Sequence, residues 1–313
     1  MTVYRCRIEP LSAWRTPWHA DTLTGRLCSI AAQLWGAEKL QSDLLDFFLA
    51  GIPPFVLSDA FPDDCLPIPV TLRLLDWDDV QRKKIKRARW LSPTDFERVR
   101  AGERIFADSC LPDDAVVRRD RWQNTINRQT GTTGENSLFS ETEVFRNTTN
   151  ATDPKYLSLY VRIEDGFEDR FMELLSSLAR EGFGADVSTG YGAFRLAGPP
   201  EPLPRWYEQP DANGLIVLST FQPAPNDPTD GYWEAFVKYG KLGPGFGVVN
   251  VFKRPIVLLR AGASFRSESK REFLGRALPA VEFLEPETMR QLRIQGLDPI
   301  HIAYGLAVPC VFK

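Results

Sequence analysis

The hydrophobic positions change period several times along this chain, and each change marks an element. Residues 2–9 alternate, with Tyr4, Cys6 and Ile8 interleaved by Arg5, Arg7 and Glu9, and predict a first strand. Over 21–36 the period lengthens: Leu23, Leu27, Ile30 and Leu34 fall on one helical face, Asp21 or Thr22 can cap the first turn, and Gly36 fits just past the end. A second helix is predicted from about Glu38 to Leu49. Gly51-Ile-Pro-Pro ends it, and Phe55-Val-Leu reads as a strand. The prolines of 58–69 argue against regular pairing there. A short helical stretch follows at Asp95–Arg100. Two β-capable runs flank a polar tip, Gln129–Asn136, and predict a long hairpin or ribbon over 113–147. Tyr156–Glu164 alternates as a strand. Phe167–Glu181 carries the strongest helical stripe, Phe167, Phe171, Leu174, Leu175 and Leu178, with Gly182 placed to stop it. The glycine-rich loop Gly182–Gly192 then enters a strand at Ala193–Leu196.

Five prolines in 199–210 suggest a linker. Beyond it the pattern starts again: a strand at Leu215–Phe221, a helix at about Gly231–Lys241, a glycine-rich stretch at Gly240–Gly247, and strands at Val248–Leu259 and Ile300–Val311. The fold class is therefore α+β. We expect two α+β domains related by a weak internal repeat, over 1–198, with the hairpin inserted at about 113–147, and over 211–313, joined by the 199–210 linker.

Composition removes several function classes. The chain has 313 residues, 38 Lys+Arg, 41 Asp+Glu and a formal charge of −3, so charge alone would not coat nucleic acid with it. The distribution differs from the total: 82–128 holds 13 basic and 7 acidic residues, a local +6 against −9 elsewhere. The five cysteines are widely spaced without a CxxC and read as reduced, mostly buried thiols of a cytoplasmic protein. Two histidines, His19 and His301, leave little for a metal site, and no cofactor motif occurs. No signal peptide, transmembrane segment or membrane partner is expected. The sequons at Asn147 and Asn150 carry no weight in the cytoplasm.

Four features carry candidate chemistry. In the loop, Gly182, Gly184, Gly190 and Gly192 allow a backbone to approach a polyanion, Ser188 and Thr189 offer hydroxyls, and Tyr191 a ring for stacking. The alternative is a loop kept tight for helix–strand packing. It is neither a Walker loop nor a dinucleotide fingerprint, because no Gly-Lys-Ser/Thr follows and it leads from helix to strand. The basic run from Arg82 to Arg89 includes Lys83, Lys84 and Lys86, suited to phosphates, or else a solvated helix face or a docking site for an acidic partner. The ribbon segment carries Arg118, Arg119, Arg121, Trp122, Asn124, Asn127 and Arg128, groups that grip a single-stranded backbone and stack on splayed bases. It can equally be an ordinary surface hairpin. His19 could serve as a general acid or base, but a lone histidine before a helix is more often a capping or packing residue.

Taken in order, Pro17–Gly25, Ser58-Asp-Ala-Phe-Pro, Leu66-Pro-Ile-Pro69, the 82–89 run, Asn124–Gly131 and Gly182–Gly192 resemble the fourth subunit of type III-A CRISPR Csm effector complexes, a member of the RAMP superfamily. The resemblance covers most of residues 1–260. It implies two ferredoxin-like (RRM-like) domains, with a protruding thumb-like hairpin over 113–147 and a glycine-rich loop over Gly182–Gly192. It implies a non-catalytic subunit that holds the 5′ handle of the crRNA (the guide RNA), contacts the large polymerase/cyclase subunit and the first backbone RAMP subunit, and meets target RNA indirectly. The loop departs from the family in reading Ala185-Asp-Val-Ser-Thr189 where a more basic stretch is common. Two alternatives remain: a metal-independent endoribonuclease of the same superfamily, with His19 and Tyr191 or a lysine as acid and base, and the equivalent subunit of another type III subtype.

Overall fold

The computed structural model describes residues 2–113, 115–147, 155–243 and 246–313, with backbone alone at 135–136. Asn150 and the middle of the 240–247 glycine stretch, 244–245, lie outside the described residues. Helix and strand are mixed, with several antiparallel sheets, so the α+β class holds.

The first sheet is built from β1 (Thr2–Pro10), β2 (Phe55–Pro62), β8 (Leu157–Ile163), β9 (Phe194–Leu196) and β10 (Glu201–Pro202). β8 lies between β1 and β2, antiparallel to both, and β9 and β10 pair with the other edge of β1. Two helices accompany this sheet, α1 (Ala20–Trp35) and α4 (Glu168–Glu181). Both end on glycines at positive φ, Gly36 and Gly182, as the sequence predicts. The prolines at 58–69 disrupt pairing less than expected. β2 runs to Pro62 with a bulge between Leu57 and Ala60, and the Ser58 hydroxyl fills the bulge by accepting from the Tyr160 amide at 2.9 Å.

Between β2 and β8 the chain makes a small sheet, β3 (Leu66–Pro67), β4 (Ala88–Leu91) and β5 (Cys110–Pro112), with helices α2 (Asp79–Arg87) and α3 (Pro93–Arg100). It then extends the expected ribbon, β6 (Val116–Ile126) against β7 (Thr133–Arg146). The 199–210 segment is tied to the first half: β10 pairs with β1, and the buried Trp206 stacks on Tyr160 at 4.9 Å.

The second half departs from the predicted repeat. Its sheet runs β12 (Gly231–Tyr232), β15 (Ser264–Arg266), β11 (Gly214–Val217), β17 (Ile300–Cys310), β16 (Phe273–Pro279). No helix forms at Gly231–Lys241. β12 and then β13 (Ala235–Lys238) occupy that stretch, and β13 pairs with β14 (Ile256–Leu259), which is also shorter than the Val248–Leu259 strand expected. The aromatic and β-branched residues Tyr232, Trp233, Phe236, Val237 and Tyr239 favour extended backbone, and from 235 to 240 burial alternates with period two. Among the described residues of this half, the one helix of eight or more residues is α5 (Pro286–Ile294).

The largest apolar cluster runs through both halves, and two smaller ones lie within the second. Leu23, Leu27 and Ile30 of α1 meet Phe171, Leu174 and Leu178 of α4, and Ile302, Tyr304, Leu306 and Val308 of β17 join the same cluster. Cys6, Cys28 and Cys310 are buried in it as free thiols; Cys65 and Cys110 are half-buried. Among the described residues no helix is long and apolar enough to cross a membrane.

The start of α1 corrects the expected cap. His19 holds the N-cap position without a side-chain cap bond, and Asp21 is buried elsewhere. The carboxylate that meets the helix start comes from β2: Asp59 accepts from the Ala20 amide at 2.8 Å, and also from the Thr220 amide at 2.9 Å and hydroxyl at 2.8 Å. The Ser58-Asp59 motif thus joins strand, helix and second half.

Candidate nucleic-acid interface

The connector between β1 and α1 carries both the ribbon and the glycine loop. Trp14 and Val144 exchange two backbone hydrogen bonds, at 2.9 and 2.8 Å, anchoring the ribbon near its root. One residue earlier, the Ala13 carbonyl accepts from the Gly192 amide at 2.7 Å. Thr16 accepts from the Ala185 amide through its hydroxyl at 2.9 Å.

Close packing accounts for much of the loop's glycine. A Cβ on Gly192, at φ +67°, would lie 1.9 Å from the Phe183 carbonyl oxygen, and one on Gly184 2.7 Å from the Thr16 Cβ. Gly182 is similarly hemmed in by Val187 and Gly192. Gly190 differs: its φ of +95° needs glycine, but the space around it is open. The Thr189 hydroxyl donates to the Asp186 carbonyl at 2.9 Å, within its own turn. Ser188 is exposed, and its hydroxyl and the amides of Val187 and Ser188 have no partner among the described residues.

Tyr191 is not a free stacking ring. Its hydroxyl donates to Glu143 of β7 and accepts from Arg121 Nη1 of β6 at 2.8 Å, and the Arg15 guanidinium lies 4.1 Å from its ring centre. Arg15 also pairs with Glu141, Asp186 and, at 3.4 Å, Glu143. The cause is the Glu143 carboxylate, 7% exposed, which must be matched by donors. The Tyr191 hydroxyl first, then Arg121 and Arg15, hold its carboxyl below the usual range. Three carboxylates meet two guanidiniums at this junction, so it welds loop to ribbon and does not present positive charge.

Alternation divides the predicted ribbon residues. Arg119 and Arg121 face the side of Glu143 and Glu141, whereas Arg118, Trp122 and Asn124 share the other face. There Trp122 is 67% exposed, and Arg118 pairs with Asp113 at 3.1 Å. Asn127 is consumed by the turn, accepting from the Gln129 amide at 2.9 Å. The side chains of Arg119, Trp122, Asn124 and Arg128 have no hydrogen-bond or ion-pair partner among the described residues.

The basic run forms the exposed side of α2, capped by Asp78, which accepts from the Val80 and Gln81 amides. Lys84 pairs with Asp108, so Lys83 and Lys86 remain open while Lys84 does not. His19 packs edge-on against Phe236, with ring centres 5.8 Å apart, and no contact joins it to Tyr191. The sequence reading missed the other histidine. His301 sits in a buried cluster between the halves, 3.4 Å from Asp21 and 3.2 Å from Lys253 Nζ, and Lys238 Nζ donates to both Asp21 oxygens at 2.7 Å. Burial would raise the Asp21 pKa, but His301 and Lys238 outweigh it and hold that carboxyl well below the carboxylate range. Burial lowers His301 and brings Lys253 down to about 8. A buried Asp paired with a lysine 217 residues away and a histidine 280 residues away leaves no local sequence signal.

No protein-family model matches the chain, and no curated protein matches it in sequence. Solved structures do match. A chain of a Csm1-Csm4 cassette in complex with cA4 is similar over 100% of this chain and 98% of its own, at 17% identity and a TM-score of 0.62. The same cassette with AMPPNP gives 16% and 0.60 over the same shares. A chain of a Csm3-Csm4 subcomplex from a type III-A CRISPR-Cas interference complex is similar over 99% of both chains, at 13% and 0.59. The fold is Csm4-like. The Csm resemblance read from the ordered motifs therefore extends to the architecture, including the second half where motifs were sparse.

Proposed function

We propose that the chain is a non-catalytic, guide-RNA-binding subunit of a type III CRISPR effector complex. In this reading it holds the 5′ handle of the crRNA and bridges the large polymerase/cyclase subunit to the backbone. The observation that carries the reading is fold likeness over the whole chain to chains of assemblies that contain Csm1 in one case and Csm3 in another. We also read the first sheet with α1 and α4 as a ferredoxin-like unit, since β8 is inserted antiparallel between β1 and β2.

The RNA surface is the outer ribbon face with Arg118, Trp122 and Asn124, the tip Arg128, and the open part of the loop at Val187, Ser188 and Gly190. Lys83 and Lys86 of α2 add phosphate contacts. Each cation that neutralises a phosphate steepens the salt dependence of binding, and Trp122 offers a stacking surface. The welded junction of Arg15, Arg121, Glu143 and Tyr191 fixes the angle between loop and ribbon.

The test is a salt titration of guide-RNA binding by reconstituted complexes. Arg118→Ala with Trp122→Ala, and separately Gly190→Asp, weaken loading, and the arginine change also flattens the salt slope. Wild-type affinity for both across the titration removes these residues from the interface. Incubation with repeat RNA in EDTA leaves the RNA intact; cleavage that disappears in His19→Ala replaces this reading with the nuclease.

A further inference from the structure

The stretch from Gly231 to Arg260 carries a surface that the handle reading does not use. β13 and β14 form their own two-stranded sheet, in register from Ala235 opposite Leu259 to Lys238 opposite Ile256, and a bridge between Lys241 and Phe252 continues it. Alternation sorts the side chains. Phe236, Lys238, Ile256 and Leu258 turn inward, where Lys238 reaches Asp21. Val237, Tyr239 and Lys241 turn outward beside Phe252 and Val257. Tyr239 is 79% and Phe252 57% exposed. Exposed rings and valines gathered on one face mark a binding surface.

The charge says what kind. Residues 231–260 hold five cations, Lys238, Lys241, Lys253, Arg254 and Arg260, and one acid, Glu234, which Arg73 neutralises at 3.1 Å. A local +4 stands in a chain of −3. Lys238 and Arg254 are held by Asp21 and Glu285. Lys241 and Arg260 meet no carboxylate among the described residues, but only Lys241 shares the outer face: it lies 5.0 Å from the centre of Phe252, whereas Arg260 lies 4.3 Å from that of the inward Phe236.

We propose that the outer face of the β13–β14 hairpin is a platform for single-stranded nucleic acid, with Tyr239 and Phe252 stacking on bases and Lys241 meeting phosphate. An apolar protein surface would bury Lys241 without a counter-charge, which is costly. A single strand supplies π-faces and counter-charges at alternating positions. The platform shares no residue with the ribbon, the glycine loop or α2, so it stands independently of the handle reading.

The experiment uses the full chain and fluorescence anisotropy with an unstructured RNA and a DNA of the same sequence. Tyr239→Ala with Phe252→Ala is made both in the wild type and in the Arg118→Ala, Trp122→Ala background, which silences the ribbon. The rings are exposed, so the variants melt as their parents do. Stacked rings lose roughly 5- to 150-fold in affinity on truncation to alanine, and we expect a loss of about tenfold or more in either background. Tyr239→Phe restores its share, because the ring and not the hydroxyl stacks. A loss for RNA alone identifies RNA as the strand bound; an equal loss for DNA identifies sugar-independent stacking. Unchanged affinity for both oligonucleotides in either background overturns the platform. So does the double variant dropping a protein subunit from a reconstituted complex while binding RNA normally. If the ribbon pair binds as wild type and the hairpin pair does not, the handle reading fails and the platform stands.

Discussion

Asp59→Ala tests whether one carboxylate joins the two halves. Its Oδ1 accepts from the amides of Ala20 and Thr220, and its Oδ2 from the Thr220 hydroxyl, all at 2.8–2.9 Å and all buried. A hydrogen bond to a charged group is worth about 1.5–3 kcal/mol, and a buried donor left unpaired adds a penalty of similar size. Three bonds on one group are not additive, so the expected loss is about 3–6 kcal/mol. That is a large share of the roughly 5–15 kcal/mol that holds a domain folded. Asp59→Asn keeps an oxygen for both amides and turns its NH2 toward the Thr220 hydroxyl, which can accept. It loses the charge but not the geometry, about 1–2 kcal/mol. Urea denaturation at neutral pH, followed by circular dichroism, separates the two. Alanine within about 1 kcal/mol of wild type, or asparagine as damaging as alanine, would refute the argument.

Two further outcomes concern other parts of the chain. Gly192→Ala forces a Cβ to within 1.9 Å of the Phe183 carbonyl and should cost several kcal/mol, about 3 or more, whereas Gly190→Ala meets open space and pays only backbone strain, about 1 kcal/mol; comparing their denaturation midpoints checks the contrast. The His301 cluster makes stability fall with acid. Its folded pKa lies below the ordinary 6.5, so the unfolded chain binds a proton that the native one lacks once the pH drops below that value, and Asp21 adds the same sign below 3.8. Between pH 7 and 5 the wild type should lose stability steadily and His301→Leu should lose less; equal slopes would show that this histidine is not the titrating group.

Local period explains which elements could be read in advance. α1, α4 and the ribbon repeat their apolar or β-capable residues over enough positions to fix the element, and Gly36 and Gly182 mark the helix ends. The stretch 231–241 forms strands where a helix is predicted, because its aromatic and β-branched residues favour extended backbone. In the interface, exposure at Trp122 and Arg128 agrees with the residue types. The occupation of Tyr191 does not follow from its surroundings in sequence: Glu143 and Arg121 lie 48 and 70 residues away, and only the ribbon's return path brings them there. The cap on α1 fails for the same reason, since Asp59 arrives from 39 residues downstream.

The route of β17 has a consequence for how the protein is made. Its residues 300–310 are buried at nearly every position and lie against α1 and β2, and Asp59 waits for Thr220. A ribosome that has released the first sheet, complete only at Pro202, has therefore produced an α1 whose side toward β17 stays uncovered for about a hundred residues more. Messages broken before the codon for residue 300 should therefore yield protease-sensitive fragments and no usable half-molecule. Pulse proteolysis of stalled chains of increasing length would show protection arriving in one late step; early protection of residues 1–198 would contradict it.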